Sequence, residues 1–293
     1  MIRYLKFAFS SFVFTFFILR TNAQAKNGTG VRSKLDSNHC IAVVHVEQID
    51  NLIYMPVSIN GSKTLRFFLD GGASVFVIDS SKTKELGLKT NGKGKIHGAG
   101  EGNVNVTYTD SLTFNLPGIK INVPRATIIN LSNAIPGQKV DGLVGYDLFA
   151  QYVVEINYHT NTVRLFDPKK FLYSGKGSRI PITIRRKQIY VHAKVKVAGH
   201  TPMIHEYIVD SGSSDNVDDD LIAQSTASKS EGVGGVGIGQ TFKVKVGYIE
   251  SFQIGKYLIR NIKGVSGAQV IGNGLLHNYT VIFDYSRKQM ILE

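Results

Sequence analysis

From about Ile41 onward, short runs of β-branched and aromatic residues are separated by Gly, Asn and Asp. Runs of that length, bounded by turn formers, predict strands. They fall at 53–59, turning at Asn60-Gly61, and at 66–69, 74–78, 153–158 and 163–166. Helical patterning is confined to two short stretches, 81–86 and 219–225. The pattern predicts an all-β chain.

Two segments repeat. LVGYDLFAQYVVEINYHTNTVRLF, from Leu143, aligns without a gap on VIGNGLLHNYTVIFDYSRKQMILE, from Val270, at a constant offset of 127 residues. Upstream, FFLDGGASVFVID around Asp70 matches YIVDSGSSDNVDD around Asp210 at an offset of 140. A similar strand precedes each, NLIYMPVSING in the first case and KQIYVHAKVKVAG in the second. Self-similarity of this kind marks a duplicated architecture. The expected organisation is an N-terminal β lobe at 41–168, a linker at 169–177 and a C-terminal β lobe at 178–293.

The start of the chain has a different character. Arg3 and Lys6 precede the apolar run FAFSSFVFTFFIL, which ends near the small residues Ala23 and Ala25. That is the pattern of a secretory signal peptide, expected at 1–23. A membrane anchor would need about 20 apolar residues, and no later run is long enough to span a bilayer. Residues 24–40 are polar and are expected to form a flexible lead-in or short pro-segment. The expected location is secreted or periplasmic. A single cysteine, Cys40, excludes a disulfide scaffold within the chain.

Each lobe presents, in the same order, an apolar strand, Asp-x-Gly-x-Ser, a Gly-rich hairpin, and two apolar residues before a Gly. Asp70 leads Gly71, Gly72 and Ala73; Asp210 leads Ser211, Gly212 and Ser213. Glycine in such a turn permits close approach that a Cβ would forbid. The apolar supports are Leu143-Val144 before Gly145 and Val270-Ile271 before Gly272, expected to pack beneath the Asp loops. The paired order resembles the aspartic peptidases, with two retropepsin-like subunits fused in one chain, and the resemblance covers nearly all of the chain beyond the lead-in.

That resemblance implies a bilobal acid-protease fold: two closed β-barrel lobes related by a pseudo-twofold axis, with the cleft between them. It implies Asp70 and Asp210 as a catalytic dyad. Two carboxylates held that close cannot both ionise, so they share a proton and titrate as a pair. The aspartic-protease dyad is itself the standard illustration of that effect. The implied activity is hydrolysis of peptide bonds through an activated water, with no metal and no cofactor. The implied partner is an extended peptide, bound by a monomer. A catalytically inactive, peptide-binding relative is the alternative.

Two asymmetries mark lobe one. The family usually carries Thr or Ser after the Asp, where lobe one has Gly71. Lobe two has Ser213 where lobe one has Ala73, and a hydroxyl donating to Asp210 would favour its charged form. The charge is therefore expected on Asp210 and the proton on Asp70.

The Gly-rich segments are expected as flaps over the substrate, Gly98, Ala99 and Gly100 within HGAGEGN of lobe one and Gly234, Gly235 and Val236 within 232–237 of lobe two. The second run also satisfies G-x-G-x-x-G, but that motif needs a following helix, and a strand-like sequence follows here. Asp215, Asp218, Asp219 and Asp220 lack the spacing of a calcium loop and read as an acidic first turn of a helix. His200 and His205 read as surface residues without metal geometry. Lys and Arg total 34 against 22 acidic residues, a net charge of +12. No basic patch interleaved with aromatic residues suggests nucleic acid; the charge leaves an envelope-binding role as a third reading.

Overall fold

The computed structural model describes residues 39–98, 100–132, 139–235 and 238–293. The expected signal peptide, most of the expected lead-in, and the expected flap residues Ala99 and Val236 lie outside the described residues.

Lobe one closes on itself. Its ring runs β3 (Leu52–Ile59), β4 (Leu65–Leu69), β9 (Gly142–Val144), β5 (Val77–Asp79), β8 (Ile119–Ile129) and β7 (Asn103–Leu116), and returns to β3 through Ser58↔Asn115 and Ile59↔Phe114. β2 (Glu47–Ile49) flanks β3, and β6 (Asn91–His97) pairs with the outer half of β7 as a hairpin. Alternation in β3 explains which face is inside: Ile53, Met55, Val57 and Ile59 are buried in the barrel core. Phe67 of β4 packs edge-on against Phe114 of β7 across it.

Lobe two repeats the ring with β14 (Gln188–Lys196), β15 (Met203–Asp210), β20 (Val270–Gly272), β16 (Val217–Asp218), β19 (Tyr257–Val265) and β18 (Phe242–Ile254), closed by Val195↔Phe252. β13 (Thr183–Arg185) and β17 (Ser230–Gly234) flank it. The molecule thus has the bilobal all-β acid-protease architecture, with two closed barrels.

A third sheet joins the lobes, in the order β1 (Cys40–His45), β11 (Thr162–Phe166), β10 (Val153–Asn157), β21 (Thr280–Asp284), β22 (Gln289–Leu292) and β12 (Ser178–Pro181). At its centre Val154 faces Phe283 and Ile156 faces Val281. The repeat offset of 127 maps each of those pairs onto the other, so the pseudo-twofold axis passes through the central pair, Glu155 and Ile282. Behind this sheet Phe149 stacks on Tyr285 and meets Phe283 edge-on, tying lobe one to lobe two through buried aromatic surface.

Three local expectations need correction. Two helices, α1 (Tyr146–Gln151) and α3 (Asn273–Leu276), follow Gly145 and Gly272 where none is expected, because segments of six and four residues are too short for a helical period to register. The expected helix at 219–225 is α2 (Leu221–Gln224), and the one at 81–86 is a 3₁₀ turn, Ser80–Lys82, followed by irregular turns. The expected strand at 74–78 begins only at Val77, since the preceding residues form the loop that carries the Asp70 turn.

Candidate active site

β4 and β15 are the strands that deliver the two acids. Each is anchored along its length by a parallel neighbour: Leu69 pairs with Val144, Val209 with Ile271, and the Asp70 N–H donates to Val144 O at 3.0 Å. Val144 and Ile271 are buried in the core beneath the loops. The other member of each expected support pair points the opposite way. Leu143 joins a separate apolar cluster on the cleft side of lobe one, and Val270 is half-buried. Side chains alternate across a strand, so only one of two consecutive residues can face the core. The loops are further fixed where Tyr146 N–H donates to Ala73 O at 2.8 Å and Asn273 N–H to Ser213 O at 2.7 Å.

The two turns bring Asp70 and Asp210 together. The Gly72 N–H points between them, 2.9 Å from Asp70 Oδ1 and 3.0 Å from Asp210 Oδ1. Ala73 N–H adds a second donor to Asp70 Oδ1 at 2.9 Å, and Gly212 N–H a second to Asp210 Oδ1 at 2.7 Å. Burial and the facing Asp210 carboxylate hold Asp70 well above the ordinary carboxylate range. Burial raises Asp210 as well, opposed by the Gly212 N–H and by a hydrogen bond from Asp70. Of the two, Asp70 is raised the further.

The expected hydroxyl bond from Ser213 to Asp210 is absent among the described residues. The Ser213 hydroxyl accepts from the Asp215 N–H at 3.3 Å. The asymmetry comes from the carboxyl–carboxyl bond and the amides around it.

A hydroxyl links the two turns in one direction only. Ser211 is fully buried; its Oγ accepts from the Gly71 N–H at 2.8 Å and donates to Leu69 O at 3.2 Å. Gly71 has no hydroxyl to return the bond. Lobe two's turn is instead held by a side chain that sequence patterning does not single out: Asn273 Nδ2 donates to Ser211 O at 2.7 Å, while Tyr158 OH donates to Asn273 Oδ1 at 2.6 Å. Gln188 Nε2 crosses from lobe two to donate to Gly72 O at 3.1 Å. Asn273 occupies the repeat position of Tyr146, so a break in the repeat is the only sequence signal that could have drawn attention to it. Ser211→Ala is expected to lower stability by about 1–3 kcal/mol, because it leaves a buried N–H and a buried carbonyl without this partner. Denaturant unfolding checks this through the midpoint at unchanged slope.

Above the turns, the hairpin tips of the two lobes touch. Gly100 N–H donates to Ile238 O at 2.9 Å, and Glu101 and Gln240 exchange backbone bonds of 2.8 and 3.0 Å. Glycine is required there: a Cβ on Gly100 would lie 2.6 Å from Gln240 O. In lobe one Gly98 also lies against Ile238. In lobe two, Gly234 ends β17, Gly235 opens the tip, and the contacts come from Ile238, Gly239 and Gln240 beyond the expected Gly-rich segment. β18 follows as a strand, which excludes the strand–turn–helix context of a dinucleotide motif. Ile238 packs against lobe one's cleft-side cluster, so lobe two's flap rests partly on the other lobe.

The acidic run divides. Asp219 is buried, accepting from Leu221 N–H at the start of α2, from Tyr207 OH and from His205 Nδ1. Asp218 lies in β16 on the other side of that strand, and Asp215 lies in the loop before it. The single acidic helix turn expected from sequence is thereby corrected. His205, Asp219 and Asp220 are close enough in space to hold an ion, but Asp219 spends its oxygens on the three protein donors just named. His200 sits at the surface with its Nε2 3.1 Å from Gln224 O.

No curated protein matches the chain. Residues 55–148, from β3 through the Asp70 turn and the first flap to α1, match the family model described as aspartyl protease. Two closed barrels, each delivering an Asp turn through a parallel strand, carry the same organisation into the second half. The match over 55–148 supports an aspartic peptidase of the retropepsin-like kind.

Proposed function

We propose that this protein is a secreted or periplasmic endopeptidase in which Asp70 and Asp210 activate a water for attack on a peptide carbonyl. The observation that carries this reading is the single Gly72 N–H bonding both carboxyls, 2.9 and 3.0 Å away, beneath two flaps that meet. In the proposed reaction the charged Asp210 takes a proton from water as the oxygen adds to the carbonyl carbon. Asp70 gives its proton to the carbonyl oxygen, which yields a neutral tetrahedral intermediate. A proton then passes from Asp210 to the leaving nitrogen while Asp70 takes one from a hydroxyl of the intermediate, the C–N bond breaks to give a carboxylic acid and an amine, and the carboxyls return to one shared proton. An extended peptide would lie between the flaps and the dyad, held in part by main-chain bonds to the flap strands.

No helix of the described residues is long and apolar enough to cross a membrane. The mature chain is proposed to begin after residue 23, with lobes at 41–168 and 178–293 and their linker at 169–177. Gly71 favours a second reading, a binding-only relative, since it has no hydroxyl to return the bond that Ser211 makes to its N–H.

The test is mass-spectrometric detection of cleavage in a library of unstructured peptides between pH ~3 and ~7, with and without a transition-state analogue of aspartic peptidases. Cleavage blocked by the analogue is expected. Retained peptide binding with no turnover anywhere in that range would favour the second reading.

A further inference from the structure

The registers of the two barrels place equivalent residues in equivalent rows across the sheet. In lobe one, directly paired neighbours run Tyr54, Phe68, Leu143, Val77, Thr127 and Tyr108. In lobe two the same succession is Tyr190, Ile208, Val270, Asp218, Val265 and Val246. Directly paired residues share a face of the sheet. Ile208 lies two positions before Asp210 in β15, and Val209 between them is buried in the core. The lobe-two row therefore shares the cleft face with Asp210, two residues from the proposed dyad.

One position differs in kind. Where lobe one has Val77, buried in an apolar cluster, lobe two has Asp218 between Val270 and Val265. Its Oδ1 is fully buried and makes no hydrogen bond among the described residues. An ionisable group with a spare acceptor is costly in an apolar row unless something fills it. The barrel does not need an acid there, since the same fold is completed by valine in lobe one.

We propose that Asp218 makes the lobe-two wall of the cleft a subsite for a cationic side chain, lysine or arginine, of the bound peptide. This rests on the reading of the cleft as a peptide site. Asp215 lies near enough to add a second negative charge. Of the charged groups on neighbouring strands, Glu206 of β15 is held by Arg185, and Lys263 of β19 acts on Asp215. No cation is paired with Asp218 among the described residues. Burial, and then the charges of Asp215 and Asp210, push Asp218 up to about 8. A bound ammonium or guanidinium opposes all three and favours the ionised form. Selection for a cation therefore strengthens as pH rises toward that value.

The experiment uses the whole protein and peptide pairs that differ at one position, lysine against norleucine, scanned across both sides of the scissile bond. At one position lysine is expected to be favoured by about tenfold or more in kcat/KM, as for a site built to hydrogen-bond a polar substrate group. Asp218→Val, which installs lobe one's own residue, and the near-isosteric Asp218→Asn should each bring that ratio close to one. The wild-type ratio alone should also climb from pH ~5 to ~8. A ratio near one in the wild type, one that is flat with pH, or one unchanged in both variants overturns the subsite and leaves the peptidase reading standing. If the wild type cuts nothing, the peptidase reading fails, and binding of the same pairs to Asp70→Asn protein decides the subsite. Tighter binding of the lysine peptide, lost on adding Asp218→Val, supports it; equal affinities overturn it.

Discussion

Asp70→Asn and Asp210→Asn should each lower kcat/KM on a cleaved peptide by about 10²–10⁴-fold, the range supplied by positioned acid–base groups. The double variant should be little worse than either single one, because the two carboxyls act as one unit around one proton. Either single variant retaining normal turnover would end the dyad assignment. The same variants carry a stability signature of known sign. Both acids start from an ordinary value of 3.8 and are raised on folding. A raised acid favours the folded state while protonated, below its unfolded value, and costs stability as pH rises above it. Asparagine has no such cost, so both variants should melt higher than the wild type near pH ~7, with the difference shrinking toward pH ~4. Asp70, held well above its ordinary range, should give the larger gain. Calorimetry at the two pH values would separate this from general damage, which lowers the melting temperature at both.

The parts of this site that sequence shows are those that repeat. Asp70 and Asp210, their glycines and the apolar-apolar-Gly supports recur at fixed offsets, and chance does not produce that twice. What sequence hides are contacts made once, between lobes. Asn273 replaces Tyr146 in the repeat, and nothing local indicates that its amide reaches Ser211 while Tyr158 holds it from the first lobe. The flap contact likewise depends on Ile238 and Gln240, which lie beyond the Gly-rich run and meet Gly100 and Glu101 only after both barrels have closed. Asp218 shows the limit most clearly. Counting from the Asp turns at the repeat offset of 140 aligns it with Ile78, a core residue, whereas strand register aligns it with Val77 on the cleft face. The loop in lobe two is one residue longer, and a one-residue slip in a strand exchanges faces.

Gly72→Ala should disable the enzyme without unfolding it. A Cβ on Gly72 would lie 2.8 Å from the carboxyl carbon and both oxygens of Asp210, closer than unbonded atoms pack, so the carboxyl must move. Gly212 stands in the mirror relation, with its Cβ 2.6 Å from Asp70 Oδ1. Displacing a reacting group by about 1 Å can cost 10²-fold, and a loss of that size in kcat/KM is expected for either alanine. Gly71→Ala is the internal control. Its Cβ meets Ser211 Oγ at 3.2 Å, tight enough to shift a hydroxyl by a few tenths of an ångström but not aimed at a carboxyl, so its effect should be much smaller. The pH profile distinguishes geometry from collapse. Separating the carboxyls weakens the repulsion that helps to raise Asp70, so the surviving activity of Gly72→Ala should lose its protonated acid at lower pH than the wild type does. An unshifted profile with reduced amplitude would mean that less protein is folded, and the close approach of the two turns would then matter to stability rather than to the chemistry.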